Sequence, residues 1–311
     1  PRNAPALFNL GAHEFTTMFH DGRLEADPTR PSGIRTPLGT EMVQGFASVL
    51  SAQSMFPVLS PDEMAGHYTE SDVARAVRQG FLTGEDGAWS LISARVADIK
   101  EYQSAFEQIN GPGHSVTFTD ISDVIAEFIA FEWRADDSPF DQYLRTGEPL
   151  PKAAHLGMSL FYGKAQCSTC HAGQFQTDHG FHAIALPQVG PGKSARFETH
   201  ARDEGRLRVT GNPADAYKFR TPSLRNIAQT APYGHNGAYA TLEAMIRHHL
   251  DPVASLKAYN VAQLVLPDLP NSLDFKATHD PDEQAAIAAA NELSPSNLSE
   301  TEIIQIVAFL N

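Results

Sequence analysis

The stretch Gln166-Cys167-Ser168-Thr169-Cys170-His171-Ala172 decides how the rest of the chain is read. Cys167 and Cys170 are its only two cysteines, and they are separated by two residues and followed at once by a histidine. Two thiols on one turn can reach the two vinyl groups of a porphyrin, and the adjacent imidazole then points at the iron, so Cys-x-x-Cys-His reads as c-type haem attachment. Two other chemistries use part of the pattern. A thioredoxin-like redox pair needs a strand–helix setting, whereas this motif follows a helix-like stretch, Ala153 to Gly163, and precedes a Gly-rich loop. A structural zinc site needs two more ligands at suitable spacing, and no second cysteine pair exists. The reading is therefore a covalent haem on Cys167 and Cys170, with His171 as one axial ligand. Covalent attachment of this kind takes place outside the bacterial cytoplasm, so a periplasmic location is expected.

The opposite axial position of a c-type haem takes Met or His, or stays open for chemistry. Met245 is the only methionine after the motif; the histidines are His179, His182, His200, His235, His248, His249 and His279. Thr241 to Leu250 has helical spacing, with Leu242, Met245, Ile246 and His249 on one face and His248 off it. His249 is the preferred ligand, then Met245, then His248. A His/His haem would have the lower potential, because Met ligation raises it.

Working outward, the sequence is helix-rich, with no internal repeat, low-complexity tract or strand-rich region. Thr40 is expected to cap a helix with Met42, Val43, Phe46, Val49 and Leu50 inward. Thr119 to Trp133 is expected to turn Ile121, Ile125, Phe128 and Ile129 inward, and Asp137 to Gly157, with Pro149 and Pro151, is the expected inter-domain linker. A long Gly/Pro/His loop, Ala172 to Ala216, follows the motif. Ser299 and Glu302 form a capping box for a last helix, Glu300 to Leu310.

The 311 residues suffice for roughly two domains, and 42% hydrophobic with 19% charged residues is ordinary globular composition. A net charge of −14 argues against a nucleic-acid partner and suits a basic protein partner, through electrostatic steering. No apolar run approaches the roughly 18 residues that span a bilayer. The chain opens Pro1-Arg2-Asn3 without Met, so a preceding segment is expected.

These motifs resemble a family. Residues 219–243, Phe-Arg-Thr-Pro-Ser-Leu-Arg-Asn-Ile-Ala-Gln-Thr-Ala-Pro-Tyr-Gly-His-Asn-Gly followed by Thr-Leu-Glu, look like the second-haem domain of bacterial di-haem cytochrome c peroxidases and the related MauG group. The opening Pro1-Arg-Asn-Ala-Pro-Ala-Leu-Phe-Asn, with His20-Asp-Gly-Arg23 and Glu41-Met42, resembles the end of that family's first-haem domain. The resemblance implies a mainly α fold of two cytochrome c-like helical domains, the N-terminal one truncated at its start. Residues 1–145 would be the remainder of the peroxidatic-haem domain and 146–311 the domain with the covalent haem. The family's first haem motif would lie upstream of Pro1.

Site roles follow from the resemblance position by position. His249 stands where peroxidases carry Met and MauG-like members Tyr. Asn3, through its side chain, and Thr230 and Pro232, through backbone carbonyls, match calcium ligands, and oxygen donors suit that ion. Glu41 matches the distal glutamate that moves a proton between peroxide oxygens; read without the resemblance, it is a first-turn acid complementing a helix dipole. His20 replaces a Trp that lies between the two haems, and Ala165 and Gln166 stand where MauG-like members carry an aromatic near the haem cysteines. Phe8, Phe19 and Tyr233 could line a haem pocket or simply pack.

Three functions are consistent with this. The first is a peroxidase that reduces hydrogen peroxide with electrons from a small donor cytochrome or cupredoxin, relayed through the His171/His249 haem. The second is a MauG-like peroxide-dependent oxidase of a partner protein, and the third an electron carrier without turnover. A homodimer is a compatible assembly.

Overall fold

The computed structural model describes residues 2–68, 70–190, 202–266 and 274–311. The fold is mainly α with two small antiparallel sheets, and the chain separates into two compact units. One comprises Leu10–Met18 and Arg23–Arg134; the other joins the stretch ending at Asn9, Phe19–Gly22 and the described part of Ala135–Asn311. Among the described residues no helix is long and apolar enough to cross a membrane.

The first unit pairs Thr17–Met18, Leu24–Ala26 and Ile34–Arg35 into a three-stranded sheet, with Thr17 opposite Glu25 and Glu25 opposite Arg35. Helices Val49–Gln53, Met55–Leu59, Asp72–Gln79, Ala88–Ala97, Lys100–Asn110 and Phe118–Glu132 follow. Trp89 is fully buried at the centre and satisfies its indole by donating to the Met55 carbonyl at 3.2 Å, as a buried Trp must.

Two expectations fail here. The helix expected from Thr40 starts only at Val49, because Ser48 accepts the Ser51 N–H and Gly45 ahead of it sits at φ +98°, outside helical space. Glu41 accordingly lies on a bend and is exposed, so it is no first-turn acid. The Phe118–Glu132 helix forms with a Thr117/Asp120 capping box, but its inward face is Phe118, Ser122 and Ala126. Ser122 meets Ser54 at 2.6 Å, and Asp123 accepts from Ser51, so the small residues allow a close approach that bulky ones would block. Ile125 and Phe128 face outward, Phe128 with 60% of its surface exposed.

In the second unit, Asp137 to Gly157 is mostly helical rather than a linker, with residues 147–151 connecting two helices. Pro139 occupies the first turn of Pro139–Thr146, where its missing N–H costs nothing. Ser138 and Asp141 close a capping box, and Gly147 ends the helix in the left-handed conformation. Pro151 stands at the N-cap of the next helix, Lys152–Phe161, without a side-chain capping bond. Asp141 also pairs with Arg225, tying the first of these helices to the 219–243 segment.

Lys152–Phe161 packs tightly on the last helix, Glu300–Leu310, which opens with the expected Ser299/Glu302 box. The closeness depends on Gly157: a Cβ there would lie 1.9 Å from the Gln305 carbonyl oxygen. Phe309 fills the crossing, with ring centroids 5.2 Å from Phe140 and 5.4 Å from Phe161. Phe181–His182 pairs with Phe219–Arg220, which gives the expected 172–216 loop a short strand; 191–201, including His200, lies outside the described residues. The Leu242–Leu250 helix begins after its Thr241 cap as expected, backed by Leu186, Val189, Tyr233, Ala238, Tyr239 and Leu242.

Candidate haem and ion sites

The Cys-x-x-Cys-His motif is a short 3-10 turn, Cys167–Thr169, entered through Gln166 at φ +56° and closed by the His171 N–H donating to the Cys167 carbonyl at 3.0 Å. No strand leads into it. Burial pushes the Cys167 thiol up to about 11 and raises Cys170 as well. A reactive dithiol depends on a depressed thiol pKa, so the environment is the opposite of a thioredoxin-like pair.

His171 donates from Nδ1 to the Gln176 carbonyl at 3.1 Å, and His249 donates from Nδ1 to the Met245 carbonyl at 2.9 Å. A carbonyl only accepts, so both rings carry their hydrogen on Nδ1 and leave the Nε2 lone pair without a protein partner among the described residues. This tautomer, fixed by a backbone carbonyl, is how metal-binding histidines are held ready. Burial, with His249 close by, lowers His171 to about 4, and burial lowers His249 too. Both imidazoles are therefore neutral at ordinary pH, as ligation requires. The helix that carries His249 and the turn that carries His171 lie in the same unit. Two neutral imidazoles that come near one another, one of them next in sequence to Cys170, and whose Nε2 atoms have no partner among the described residues, suit haem c.

The other histidines have different occupations. His248 is fully buried, with Nε2 2.7 Å from the Ile184 carbonyl and Nδ1 2.9 Å from the Tyr239 hydroxyl, so neither nitrogen is open to a metal. His182 lies between Asp178, at 2.8 Å, and Glu292, at 3.3 Å. Cys170, Asp178 and His182 also bring three donor atoms within 4.8 Å of one another, which a small metal ion could use if Cys170 were a free thiol. A thioether at Cys170 would remove that set. His279 is exposed. Tyr233 is buried and donates to the Ile227 carbonyl at 3.1 Å, a packing role.

The expected ion ligands are partly assembled. The Asn3 side chain reaches the Pro232 carbonyl at 2.7 Å through its amide nitrogen, and the Asn3 N–H donates to the His235 carbonyl at 2.8 Å. Turning the amide over exchanges its nitrogen and oxygen and sets an oxygen beside Pro232. Thr230 stands two residues before Pro232, at the end of the Ile227–Gln229 turn. Oxygen donors of this kind fit calcium.

Around them is a buried charge cluster whose components are far apart in sequence. Arg2 makes two 2.7 Å bonds to Asp203 and a 2.7 Å pair with Asp21, all three side chains being almost inaccessible. Next to it His20 donates to the Asn3 carbonyl at 2.9 Å, and His235 stacks on Phe219 at 3.5 Å. The His235 Nε2 is buried without a hydrogen-bond partner among the described residues. Glu41 belongs to the other unit.

Residues 1–148 match the family described as di-haem cytochrome c peroxidase. Cytochrome-c peroxidase IdrP1 of Denitromonas iodatirespirans is 32% identical over 206 residues, 58% of this chain and 54% of that protein. Cytochrome c peroxidase Ccp of Escherichia coli (strain K12) is 31% identical over 205 residues, 65% of this chain and 38% of that protein. The methylamine utilization protein MauG of Methylorubrum extorquens is 28% identical, over 66% of this chain and 50% of its own. Among solved structures, a MauG-like protein associated with microbial copper homeostasis aligns with all of this chain and 74% of its own, at TM-score 0.62 and 26% identity. The diheme peroxidase BthA of Burkholderia thailandensis E264 shares the fold, at TM-score 0.63 and 19% identity over 99% of this chain and 71% of its own. The chain spans about half the length of the first curated relatives it matches.

Proposed function

Because the chain is a relative of the di-haem cytochrome c peroxidases and MauG proteins, we propose that it is part of a periplasmic haem c oxidoreductase that reduces hydrogen peroxide. Cys167 and Cys170 would hold one haem c by thioether bonds, and His171 and His249 would ligate its iron. The observation that supports this best is the matched pair of imidazoles, each tied through Nδ1 to a backbone carbonyl and open at Nε2. When bound, haem c supplies a one-electron iron couple whose potential is set by its axial ligands.

The chain's own residues do the rest. The Gln176 and Met245 carbonyls keep both imidazoles in the ligating tautomer. Glu41 would take a proton from one peroxide oxygen and return it to the other at a second haem, one that the chain's single Cys-x-x-Cys-His motif does not itself attach. The unit of Leu10–Met18 and Arg23–Arg134 would then be what remains of the peroxidatic-haem domain, and the unit containing Ala135–Asn311 the electron-relay domain. Asn3, Thr230 and Pro232 hold a calcium ion. Electrons come from a small donor cytochrome or cupredoxin, and a homodimer is the proposed assembly.

The test joins a haem count to turnover. Pyridine-haemochrome analysis and the mass of the Cys167–His171 peptide should show a covalent haem on this motif. Peroxide should then oxidise a reduced donor cytochrome, and Glu41→Gln should lose that activity while keeping its haems. A Cys167–His171 peptide without haem, or zinc bound in its place, would sink the assignment. A MauG-like oxidase of a partner protein is the second reading, favoured by the likeness to a MauG-like structure; oxidation of a protein side chain with no cytochrome turnover would select it.

A further inference from the structure

Three further aromatic rings continue from His249 into the protein. The His248 ring centroid is 6.1 Å from that of His249, Tyr239 is 5.1 Å from His248, and Tyr259 is 5.6 Å from Tyr239. Tyr239 and His248 are buried, whereas Tyr259 is half-buried and so reaches the solvent. Contacts this close and continuous, with oxidisable phenols at the outer end, suit the movement of electrons as well as packing.

The hydrogen bonds add a second, independent feature. The Ile184 carbonyl can only accept, so His248 carries its hydrogen on Nε2 and its Nδ1 is an acceptor. The Tyr239 hydroxyl therefore donates to Nδ1 at 2.9 Å, and Ser255 Oγ donates to the Tyr239 oxygen at 2.9 Å. A phenol that is buried and already hydrogen-bonded to an imidazole has a place to leave its proton when it loses an electron. Tyr259 donates to the Ala238 carbonyl at 2.6 Å instead, an acceptor that cannot take up the proton.

We propose that Tyr239 is a redox-active tyrosine, and that Tyr259, Tyr239 and His248 form an electron path between the protein surface and the haem ligand His249. The oxidant is a haem that peroxide has oxidised, so the inference rests on the haem assignment above. One electron leaves the Tyr239 phenol towards His249 and reduces that haem. The Tyr239 O–H bond breaks, its proton crosses the existing hydrogen bond to His248 Nδ1, and a neutral phenoxyl radical remains. Tyr259 then gives one electron to this radical, and the proton returns from His248 to the Tyr239 oxygen. Tyr259 releases its own phenolic proton to solvent and holds the radical at the surface, where an external reductant can quench it.

The test uses the haem-loaded full-length protein in the ferric state, oxidised in two separate ways. One is hydrogen peroxide; the other is flash-quench with a ruthenium tris-bipyridine photo-oxidant, which needs no peroxide chemistry. Freeze-quench EPR reads the tyrosyl radical, and peptide mass spectrometry maps a spin-trap adduct. The wild type should give a tyrosyl signal and an adduct on Tyr259. Tyr239→Phe should lose the Tyr259 adduct, and Tyr259→Phe should lose the adduct while the radical stays on Tyr239. Persistence of the Tyr259 adduct in Tyr239→Phe overturns the path, as does photo-oxidation of the wild-type haem with no tyrosyl radical. If peroxide leaves the haem unchanged but flash-quench still yields the radical on these tyrosines, the path stands and the peroxidase reading fails. Should Tyr239→Phe disturb the low-spin haem signal, the wild type and Tyr259→Phe decide, since both keep the hydrogen-bonded pair.

Discussion

His171 and His249 show how little separates a ligand from a packed side chain in this protein. His248 and His249 are neighbours on one helix, both neutral and both hydrogen-bonded to a backbone carbonyl, yet only His249 keeps a nitrogen open. The apolar periodicity of the helix distinguishes them in the sequence, because His249 continues the Leu242, Met245 and Ile246 face. The Tyr239 and Ile184 partners of His248 are invisible there, the carbonyl lying 64 positions away. His249→Met should keep a low-spin haem and raise its midpoint potential, since a thioether favours the reduced iron; a redox titration with an unchanged midpoint would count against His249 as the ligand.

The buried Arg2 cluster makes a second residue-scale prediction. Asp203→Asn leaves the Arg2 guanidinium short of charge in a buried site, and breaking such a pair costs about 3–5 kcal/mol, read by urea unfolding. Its pH dependence has a fixed sign. Hydrogen bonding and charge from Arg2 outweigh burial and hold the Asp203 carboxyl far below its usual range, so its stabilisation is present above about pH 4 and is lost as pH falls further. His20 and His235 act earlier. Burial holds them at about 4 and about 3, against 6.5 for a free imidazole. The unfolded chain takes up these protons first, so unfolding free energy should decline from about pH 6.5 downward rather than only below pH 4. A flat profile between pH 6.5 and 4 would show that these imidazoles are not held neutral.

Among the elements, the helices with explicit start signals were legible and those defined by tertiary contact were not. The Ser299/Glu302 box begins its helix as the sequence indicates, and the helical spacing from Thr241 is matched by Leu242–Leu250, with Thr241 as its cap. Thr40 looked like a cap but loses to Ser48, because capping needs a helical turn after it and Gly45 interrupts that turn. In Phe118–Glu132 the largest apolar residues suggested the buried face; the close approach of the Val49–Gln53 helix selects Ser122 and Ala126 instead. Pro149 and Pro151 mark the expected linker; Pro149 does lie in the short connection between two helices, while Pro151 stands at the N-cap of Lys152–Phe161. The Gly157 contact carries no sequence signal at all. Gly157→Ala gains helix propensity, worth about 1 kcal/mol on an isolated helix, yet should destabilise by about 1–3 kcal/mol through overpacking against Gln305. Thermal unfolding of that variant reads the sign directly, and a raised Tm would show that the two helices have room to spare.

Across the whole molecule, the haem motif, the ligand helix and the last helix converge in one unit, although the chain between motif and ligand is long. That convergence was legible only in part: the spacing identifies His171, while the place of His249 depends on how 172–241 folds. The stretch ending at Asn9 lies in the same unit as the haem motif, through Arg2 and Asn3, and this needs Asp203, Asp21 and Pro232 together. The resemblance already groups Asn3 with Thr230 and Pro232, but no local pattern around Pro1 announces the pairing of Arg2 with Asp21 and Asp203. Low-temperature EPR of the ferric, haem-loaded protein, compared with His249→Ala, reads the ligand set at Cys167–His171. A low-spin signal of two-imidazole ligation that His249→Ala converts to high spin is the expected result. A low-spin signal assigned to this haem that is unchanged in His249→Ala would contradict the His171/His249 assignment.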